Sequence, residues 1–444
     1  MLIRSASGIR GIAENDFSPE IIDKYISAFV FSQKITNCVI AIDGRPSGND
    51  MLNWAIDSLV KRGINVDNCG LATTPTVQII AENKKYDGGI IITASHNPSE
   101  YNGIKFLQPD GTFLSPQQCE NLFLLSDQDY TSIDLVKSGK VQEYKSADLE
   151  HINTVLKLDY VNLHAIQSKK FKVVIDAVNG AGSKILPQLC KKLGCEVIKI
   201  NCKGDGEFKR IPEPLAKNLK HLEEKVLETN ADIGFATDPD GDRLSIVSNS
   251  GRAIGEEYTL VLAYKNYLNY KKTPIVTNLS TSMMIDSFGE KSIRTKIGEA
   301  HVVSKMKELE IEIGGEGNGG VIAKRVHLGR DSLVAIAMVL SLLASANQSL
   351  DEIISSIPSY IFLKDQINIR DNISFDELET VFDCDEIIKL DGIKFVWQNK
   401  WIHIRKSNTE PIIRIFAEAP TNQEANELID RLKKYLNETT REKS

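Results

Sequence analysis

The sequence contains little cysteine and no long apolar run. Its seven cysteines are scattered over 444 residues without a C-x-x-C pair, so reduced thiols are expected rather than a zinc site or a disulfide framework. No uninterrupted apolar segment approaches the roughly 18 residues of a membrane span. The first residues, MLIRSASGIRG, reach glycine and arginine too early for the apolar stretch of a signal peptide. These absences predict a cytoplasmic protein with no membrane partner.

The sequence also lacks an excess of positive charge. Lysine and arginine total 53 against 60 aspartate and glutamate residues, a formal net charge of −7. This balance argues against a nucleic-acid partner that is bound through bulk positive charge, and an anionic ligand would require a local cationic pocket. Hydrophobic residues at 42% and charged residues at 25% are ordinary globular values, which exclude wholesale disorder and a fibrous repeat.

One supersecondary unit recurs along the chain. An apolar run at 38–43 is followed by the turn GRPSGND and a helical stretch that ends near Gly63. A second run at 172–176 leads into a helix that ends at Gly194, and a third starts at Ile275. Strands that alternate with helices at this spacing predict parallel βαβ units with helices on both faces of the sheet.

The carboxyl-terminal part has a different pattern. After Pro358 the sequence reads as strands followed by one helix, with PIIRIFAEA at 411–419 and NQEANELIDRLKKYL behind it. We therefore predict an α/β protein with three similar mixed-sheet domains in series and a smaller α+β domain. The predicted domains are residues 1–150, 151–250, 251–357 and 358–444.

The segment TASHNP at 93–98 is the first that carries chemistry. It follows the apolar strand predicted at 89–92, so Ser95 is delivered to the carboxyl edge of a sheet, where α/β proteins usually bind ligands. Lys105 lies ten residues beyond Ser95 and can donate hydrogen bonds or carry a proton. Taken alone, the segment is also compatible with an ordinary capped turn.

The segment ADIGFATDPDGDR places Asp238, Asp240 and Asp242 at alternate positions after another apolar strand. Three carboxylates in one turn repel each other unless a hard cation binds them. An EF-hand is excluded because Arg243 stands where that loop needs glycine and Asn249 where it needs a bidentate glutamate. The pattern favours Mg²⁺, which keeps coordination positions open for phosphate and water. A solvated acidic turn is the alternative.

The segment GGEGNGG at 314–320 follows a strand predicted over EIEI, residues 310–313, and precedes GRDS at 329–332. Its glycines allow close backbone approach, while Glu316 and Asn318 supply an acceptor and an amide that suit sugar hydroxyls. A glycine-rich hairpin loop explains the same letters.

The segment RKSNTEP at 405–411, with Arg414 beyond it, suits a phosphate dianion. An arginine offers a bidentate fork, and hydroxyls and backbone amides add single hydrogen bonds. A simple capping loop is the alternative for this segment alone.

Taken in this order, the four segments resemble those of the α-D-phosphohexomutase family, which includes phosphoglucomutases, phosphomannomutases and phosphoglucosamine mutases. The resemblance covers essentially the whole chain, because further short motifs are in register: SGIRG at 7–11, TTP at 73–75, DG at 205–206 and PEP at 212–214. The resemblance implies four domains around one central cleft and the reversible interconversion of hexose 1-phosphate and hexose 6-phosphate. The implied reaction passes through a phosphoserine enzyme and a 1,6-bisphosphate, which also serves as activator.

The resemblance assigns roles to individual residues. Ser95 is the phosphoserine, Arg10, His96 and Lys105 are catalytic candidates with Lys105 as general acid or base, and the three aspartates bind one Mg²⁺ per chain together with the serine phosphate. The implied partners are small hexose phosphates, and the chain is expected as a monomer or homodimer. The implied substrate-binding residues are Arg243, Gly298, Glu316, Asn318, Arg405, Ser407, Asn408, Thr409 and Arg414.

Three departures from the family pattern matter, and one of them leaves the sugar open: the GEGNGG form of the sugar loop and the SNTEP form of the phosphate loop do not point to one subfamily. Many members have Ser and His in the sugar loop where this chain has Asn318 and Gly320, so His327 or another group would have to replace that histidine. Lys406 replaces the proline of the phosphate loop. The leading prediction is a phosphomannomutase/phosphoglucomutase, and phosphoglucosamine mutase is the alternative. Remoter alternatives are a haloacid-dehalogenase-like phosphatase with Asp238 as nucleophile and a non-catalytic sugar-phosphate-binding protein.

Overall fold

The computed structural model describes residues 2–5, 7–128, 138–368, 376–406 and 412–442, with side chains described as far as Leu436. The chain divides into two compact units. The first unit comprises Met1–Lys271 and Asn318–Glu352, and the second comprises Lys272–Gly317 and Ile353–Ser444. The chain therefore leaves the first unit, builds part of the second, and returns before it finishes the second.

The first unit begins with one large mixed sheet in the strand order β1-β2-β6-β5-β3-β4-β7. Strand β3 pairs in parallel with β4 and β5, whereas β6 is antiparallel to β5 and β2. The elements, in chain order, are β1 (Ile3–Ser5), β2 (Gly8–Ile12), α1 (Ala13–Asp16), α2 (Pro19–Gln33), β3 (Asn37–Ile42), α3 (Gly48–Val60), β4 (Asn65–Leu71), α4 (Thr74–Lys84), β5 (Gly88–Ile92), β6 (Tyr101–Leu107), α5 (Pro116–Ser126) and β7 (Val141–Glu143).

Local sequence explains several of these boundaries. Helices α2, α4 and α5 each begin after a hydroxyl residue, Ser18, Thr73 or Ser115, whose side chain accepts a hydrogen bond from a backbone N–H of the first turn. Each also has a proline in its first two positions, where the missing N–H costs nothing. Strand β3 reads NCVIAI and is buried from its second residue on, as expected for a strand covered on both faces.

A second sheet of the first unit has the strand order β11-β10-β8-β9. Strands β9 and β10 run parallel to β8, and β11 is antiparallel to β10. Two helices, separated by residues 156–162, precede this sheet in the chain. The elements are α6 (Ala147–Val155), α7 (Leu163–Lys169), β8 (Lys172–Asp176), α8 (Gly182–Lys192), β9 (Glu196–Ile200), α9 (Lys220–Thr229), β10 (Ile233–Thr237), β11 (Leu244–Ser248) and α10 (Glu257–Tyr270).

The next part of the chain passes through both units. Its elements are β12 (Ile275–Asn278), β13 (Ser292–Thr295), α11 (Glu299–Leu309), β14 (Ile313–Glu316), β15 (Gly320–Ala323), α12 (Ser332–Ala346) and α13 (Leu350–Ser355). Strand β12 pairs in parallel with β13 and β14. The helix expected after β12 is a 3-10 turn over Met283–Phe288 that ends at Gly289.

The predicted strand over EIEI is displaced. Glu310 caps helix α11 in the left-handed conformation, with φ 54°, and the strand begins only at Ile313. The reason is that helix α11 continues to Leu309, and the Ile311 N–H closes its end by donating to the Met306 carbonyl oxygen at 3.1 Å. The polar and apolar alternation at 310–313 is therefore divided between a helix cap, a turn and the first strand residue.

The carboxyl-terminal part is an antiparallel sheet in the order β16-β20-β19-β18-β17. Its core includes Phe395, Ile404, Ile415 and, from the last helix, Leu432. The elements are β16 (Ile361–Asn368), β17 (Glu386–Ile388), β18 (Ile393–Trp397), β19 (Lys400–Lys406), β20 (Ile412–Ala419) and α14 (Asn422–Glu442). The predicted fold class, α/β with a smaller α+β part at the carboxyl end, is confirmed. Among the helices that the structure describes, none has both the length and the apolar character of a membrane span.

Candidate active site

The turn after β5 holds Ser95 in an unusual conformation. Ser95 has φ 52°, in the left-handed region, and its side chain is almost entirely buried. Its backbone N–H donates to Thr93 Oγ1 at 2.8 Å. Its hydroxyl lies 3.3 Å from His96 Nδ1 and 3.4 Å from Asp238 Oδ2. The fold therefore brings together two motifs that are far apart in the sequence, as the resemblance implied.

The three aspartates form a compact buried cluster. Each of Asp238, Asp240 and Asp242 offers a carboxylate oxygen that lies within 4.8 Å of the others, and all three side chains are buried. Within the described part of the chain, Asp240 Oδ1 and Asp242 Oδ1 are buried without a hydrogen-bond partner. Buried carboxylate oxygens without partners are costly, and a hard divalent cation would satisfy them. The residues present fit Mg²⁺.

The cluster divides its charges unequally. Burial raises the pKa of Asp238 well above the usual range, and the negative charges of Asp242 and Asp240 raise it further. Burial also acts to raise the pKa of Asp240, but the charge and hydrogen bond of Lys105 outweigh it and hold this pKa low. Asp240 is thus stabilised as a carboxylate by its neighbours, whereas burial and the two neighbouring carboxylates disfavour the ionised form of Asp238 when no cation is bound.

Four cations surround this centre. Lys105 Nζ lies 2.6 Å from Asp240 Oδ2, and Arg330 Nη2 lies 2.6 Å from Asp242 Oδ2. Arg243 Nε lies 3.8 Å from Asp242 Oδ1 and 4.0 Å from Asp238 Oδ2. Arg10 Nη1 donates to Asn97 Oδ1, in the Ser95 loop, at 3.1 Å. These four side chains concentrate positive charge around the cluster, as an anionic ligand requires in a chain of negative net charge.

These cations determine the state of His96. The positive charge of Arg243 and burial, followed by the charge of Arg10, lower the pKa of His96 to about 2. The pKa of Arg10 is lowered as well, by burial and by Arg243. In this state His96 is neutral, and it can act near Ser95 as a hydrogen-bonding group.

Two short motifs brace the aspartate loop. Thr74, from TTP, donates through its backbone N–H to Asp240 O at 2.9 Å and through its hydroxyl to Asp240 Oδ2 at 2.8 Å. Ser332, from GRDS, donates through its hydroxyl to Gly241 O at 2.7 Å. Gly241 has φ 69°, and a Cβ there would lie 2.8 Å from Thr73 Cγ2. The glycine is required by both its conformation and the close approach.

A buried histidine cluster lies behind these motifs. Asp331 accepts hydrogen bonds from two backbone N–H groups at the start of α12, and its Oδ2 lies 2.8 Å from His151 Nε2 and 3.3 Å from His327 Nε2. His151 Nδ1 is 2.9 Å from Thr76 Oγ1, in the first turn of α4. His327 is 2% exposed. Its burial against Asp331 gives no support to the idea that it replaces the sugar-loop histidine.

In the second unit, Glu316 ends strand β14. Its Oε1 accepts a hydrogen bond from Asn278 Nδ2 at 2.8 Å and another from the Gly298 backbone N–H at 3.1 Å. Glu316 is 3% exposed. The predicted residues Glu316 and Gly298 are thus brought together, and Asn278 is a partner that the motif search missed. Asn318 belongs to the first unit.

The predicted phosphate loop is described only at its ends. Arg405 in β19 and Arg414 in β20 are paired neighbours in the antiparallel register. Arg405 Nε lies 3.4 Å from Asp391 Oδ2, which also accepts the backbone N–H of Ile297 at 3.1 Å. The predicted phosphate ligands between these strands lie outside the described residues: Ser407, Asn408 and Thr409.

Family models match nearly the whole chain. Models described as phosphoglucomutase/phosphomannomutase alpha/beta/alpha domains I, II and III match residues 1–127, 149–251 and 255–360, and a model for the C-terminal domain matches 372–434. The chain belongs to the phosphoglucomutase/phosphomannomutase family. The resemblance drawn from the motifs is confirmed, and this family member is an enzyme of the isomerase class that transfers a phosphoryl group within a hexose phosphate.

Individual relatives of this family member carry different sugar names. A phosphoglucomutase/phosphomannomutase of Thermococcus kodakarensis is 34% identical and covers 97% of both chains. A phosphoglucosamine/phosphogalactosamine mutase of Sulfurisphaera tokodaii is 32% identical and covers 97% of this chain and 98% of its own. A crystal structure of a phosphoglucomutase/phosphomannomutase family protein from Burkholderia thailandensis matches with a TM-score of 0.85 and 26% identity, covering 98% of this chain and 97% of its own.

Proposed function

We propose that this chain interconverts the 1- and 6-phosphates of a hexose through a phosphoserine at Ser95 and a 1,6-bisphosphate intermediate. One observation carries the proposal: the Ser95 hydroxyl lies 3.4 Å from a carboxylate of the buried three-aspartate cluster. A phosphate on Ser95 would therefore stand beside the cation that the cluster is built to bind. Mass spectrometry of the purified protein tests this, since a fraction of Ser95 should carry about 80 Da more, as a phosphate group adds.

The chemistry follows from phosphoryl transfer, in which proteins supply position and charge. Mg²⁺ bound by Asp238, Asp240 and Asp242 would offset the negative charge of the phosphoserine. The bond between Ser95 Oγ and phosphorus breaks as the sugar hydroxyl oxygen bonds to phosphorus, and the proton that this hydroxyl loses is balanced by the proton that the freed Ser95 Oγ gains. Lys105 is our candidate for the group that moves this proton.

Arginine side chains would stabilise the charge that develops on the transferring phosphoryl group. Arg10 contacts the Ser95 loop through Asn97, and Arg243 stands within ion-pair distance of Asp238 and Asp242. Preorganised donors of this kind lower the barrier because they need no rearrangement during the reaction. We assign both arginines to stabilising this charge during the transfer, and Arg243 also to substrate binding.

The reaction also needs an anchor for the phosphate that is not reacting. Both ends of the bisphosphate must visit Ser95 in turn, so the intermediate has to turn end for end between the two transfers. We assign the anchor to Arg405 and Arg414, together with Ser407, Asn408 and Thr409. Replacing Arg405 by alanine should raise KM for hexose phosphates in both directions of the reaction.

The sugar preference is the finest part of the proposal. Glu316 and Gly298 are assigned to the sugar, and a carboxylate held by two donors accepts hydroxyl hydrogen bonds without rejecting a particular C2 group. We therefore propose turnover of both glucose 1-phosphate and mannose 1-phosphate. Glucosamine 1-phosphate is the alternative, supported by relatives that are named for aminosugars.

One assay decides between these sugars. Purified protein is given each of the three 1-phosphates with Mg²⁺ and a trace of the corresponding 1,6-bisphosphate, and kcat/KM is compared. If kcat/KM for glucosamine 1-phosphate exceeds both neutral sugars by a thousandfold, the permissive proposal is wrong.

We also propose that each chain binds one Mg²⁺ and that the bisphosphate activates the enzyme. We propose further that the protein is cytoplasmic and is a monomer or homodimer.

A further inference from the structure

Arg45, in the turn after β3, binds the backbone of the Ser95 loop. It is 1% exposed. Its Nη2 donates to the carbonyl oxygens of Ser95 at 2.6 Å and Asn97 at 2.7 Å. Its Nη1 donates to the carbonyl oxygens of Pro98 and of Tyr101, the latter at 2.9 Å. One side chain therefore binds four carbonyl groups, three in this loop and one in the first residue of β6.

The remaining donor of Arg45 is also used. Its Nε donates to Asp43 Oδ2 at 2.9 Å, and its backbone N–H donates to Asp43 Oδ1 at 3.1 Å. A guanidinium group has five N–H donors in a planar fork, and here each of them has an acceptor. The face of the group lies 5.1 Å from the centre of the Phe208 ring. Such complete use of a buried arginine indicates a position that is strongly specified.

Asp43 reaches Ser95 by a second route. Thr93 Oγ1 donates to Asp43 Oδ2 at 2.6 Å, and the Ser95 backbone N–H donates to Thr93 Oγ1 at 2.8 Å. The left-handed conformation of Ser95, which is unfavourable for a residue with a Cβ, is thus bonded through its N–H by Thr93 and through its C=O by Arg45. Strained backbone of this kind persists only where the surroundings determine it from several sides.

We propose that Arg45 is a positioning residue for phosphoryl transfer, because its guanidinium group fixes the loop backbone that aims the Ser95 hydroxyl at the aspartate cluster. The proposal rests on the proposed function of Ser95 as phosphoryl carrier. Arg45 acts through the backbone, so its loss should slow transfer without weakening substrate binding. Lysine cannot replace it, since an ammonium group offers three donors from a single point and no planar fork.

The test is the rate at which glucose 1,6-bisphosphate phosphorylates Ser95, followed by rapid quenching and intact-mass spectrometry. For Arg45→Lys we expect this rate and kcat to fall about 100-fold, the loss that a displacement of about 1 Å causes in a reacting group. KM should stay within about twofold, as expected when an interaction acts on the transition state alone. A wild-type rate of phosphorylation in Arg45→Lys would overturn the proposal.

Arg62→Lys is the matched control. Arg62 is also a buried arginine of the first unit, and it binds Asp23 Oδ1 at 2.7 Å and the Ser58 carbonyl oxygen at 2.8 Å, with no contact to the Ser95 loop. Its replacement should lower thermal stability and leave the phosphorylation rate unchanged. If Arg62→Lys slows phosphorylation as much as Arg45→Lys, general destabilisation explains both and the positioning role is refuted.

Two further variants apply if Arg45→Lys does not fold. Thr93→Val removes the bonds to Asp43 and Ser95 but keeps the shape, and it should reduce the rate in the same way with KM unchanged. Arg45→Ala should recover part of the rate when methylguanidinium is added at millimolar concentration. A wild-type rate in Thr93→Val contradicts the proposal. A wild-type protein that is never phosphorylated on Ser95 overturns the proposed function itself, which separates the two failures.

Discussion

The ends of β3, β8 and β12, one strand from each of three sheets, invite comparison. The residues there are Asp43, Asp176 and Asn278. In each case Oδ1 accepts the backbone N–H of the residue two positions later, at 3.1, 2.9 and 3.0 Å respectively. The same side-chain turn thus closes all three strands. The other terminal group of the side chain differs. It is the oxygen Oδ2 in Asp43 and Asp176, and the NH₂ group of Nδ2 in Asn278.

Where that atom is oxygen, it binds an arginine that fixes either the Ser95 loop or the aspartate loop. Arg210 repeats what Arg45 does: its Nε donates to Asp176 Oδ2 at 3.0 Å, and its Nη2 donates to Thr237 O at 2.7 Å, directly before the aspartate loop. Where the atom is NH₂, it donates to Glu316 instead. A carboxylate at the strand end therefore binds a cationic side chain, whereas an amide at the same position donates to an anionic one.

The first of these arginines, Arg45, binds the Ser95 loop. Removing the Ser95 hydroxyl from this loop should have the largest effect on turnover. We expect Ser95→Ala to abolish mutase turnover and to remove an adduct of about 80 Da, the mass that a phosphate group on this hydroxyl would add. Steady-state assay and intact mass measure both. Substantial turnover by this variant without added rescue would show that the loop fixed by Arg45 is not the reacting one.

The aspartate loop behind Arg210 should respond in two opposite ways. Asp238→Asn and Asp240→Asn should each weaken Mg²⁺ binding and lower kcat about 100-fold or more, a typical loss for removing one stabilising group from a preorganised site. Their metal-free stabilities should diverge. Asp238→Asn relieves repulsion and should raise Tm, whereas Asp240→Asn leaves Lys105 buried without its carboxylate and should lower Tm.

Titration calorimetry with Mg²⁺ and thermal unfolding in chelator measure these changes. Chelator should also silence the wild-type enzyme reversibly. Activity that survives exhaustive chelation would exclude a catalytic metal at this cluster. Equal shifts of Tm in the two variants would contradict the unequal division of charge.

Replacing the amide at the third strand end by a carboxylate tests directly whether this group determines the partner. Asn278→Asp places a second carboxylate beside Glu316, and we expect the free energy of unfolding to fall by roughly 1–3 kcal/mol, the cost of a buried polar group without its partner. KM for hexose phosphate should rise about 10-fold, because 1.4 kcal/mol of binding energy corresponds to a factor of ten. The double variant Asn278→Asp with Glu316→Gln restores a donor and acceptor pair and should recover stability but not KM. If it recovers neither, the pair is not coupled.

The smallest effect concerns how the third turn is braced. Ser280, whose N–H Asn278 binds, has its hydroxyl 2.9 Å from His403 Nδ1, and His403 Nε2 lies 2.6 Å from Asp391 O. Burial lowers the pKa of His403 from 6.5 to about 4, so the ring is neutral near pH 7. Since a carbonyl oxygen can only accept, Nε2 of the neutral ring donates to Asp391 O, and Nδ1 accepts from the Ser280 hydroxyl. This brace therefore depends on pH, which a guanidinium group does not.

A lowered histidine pKa means that the unfolded chain binds the proton more readily. The stability from neutral His403 is fully present well above pH 6.5, falls as pH drops, and is gone below pH 4. Between pH 8 and pH 6 the loss should be about 1 kcal/mol. Urea unfolding at several pH values measures it, with His403→Gln as control. A variant that keeps the full pH dependence would place its source elsewhere.

The comparison also shows what the sequence could and could not predict. Ser95 and the three aspartates were found because each motif is a few residues long and directly follows an apolar strand. For Arg45 the sequence predicted only a place in a turn. Its acceptors are backbone carbonyl groups some 50 positions away, and every residue has such a group, so the sequence does not indicate which ones Arg45 binds.

Other misses have the same cause. Arg330 stood within GRDS without a visible partner, because the carboxylate of Asp242 is 88 positions earlier in the chain. Asn278 could have been found, since it occupies the strand-end position of Asp43 and Asp176 in the recurring unit. The error at 310–313 arose because two-residue alternation was given more weight than the end of the helical pattern before it.

The return of the chain into the first unit has a consequence for how the protein is synthesised. Arg330 and Ser332, which complete the aspartate loop, and the almost wholly buried helix α12 all follow residues 272–317, which belong to the second unit. On the ribosome the first unit must wait with an apolar surface uncovered while that excursion is translated. Contacts of such long sequence separation form slowly, and exposed apolar surface favours aggregation. A fragment cut at Lys271 would lack α12 and would therefore be a poor candidate for independent folding, whereas one that continues to Glu352 would carry the whole loop support.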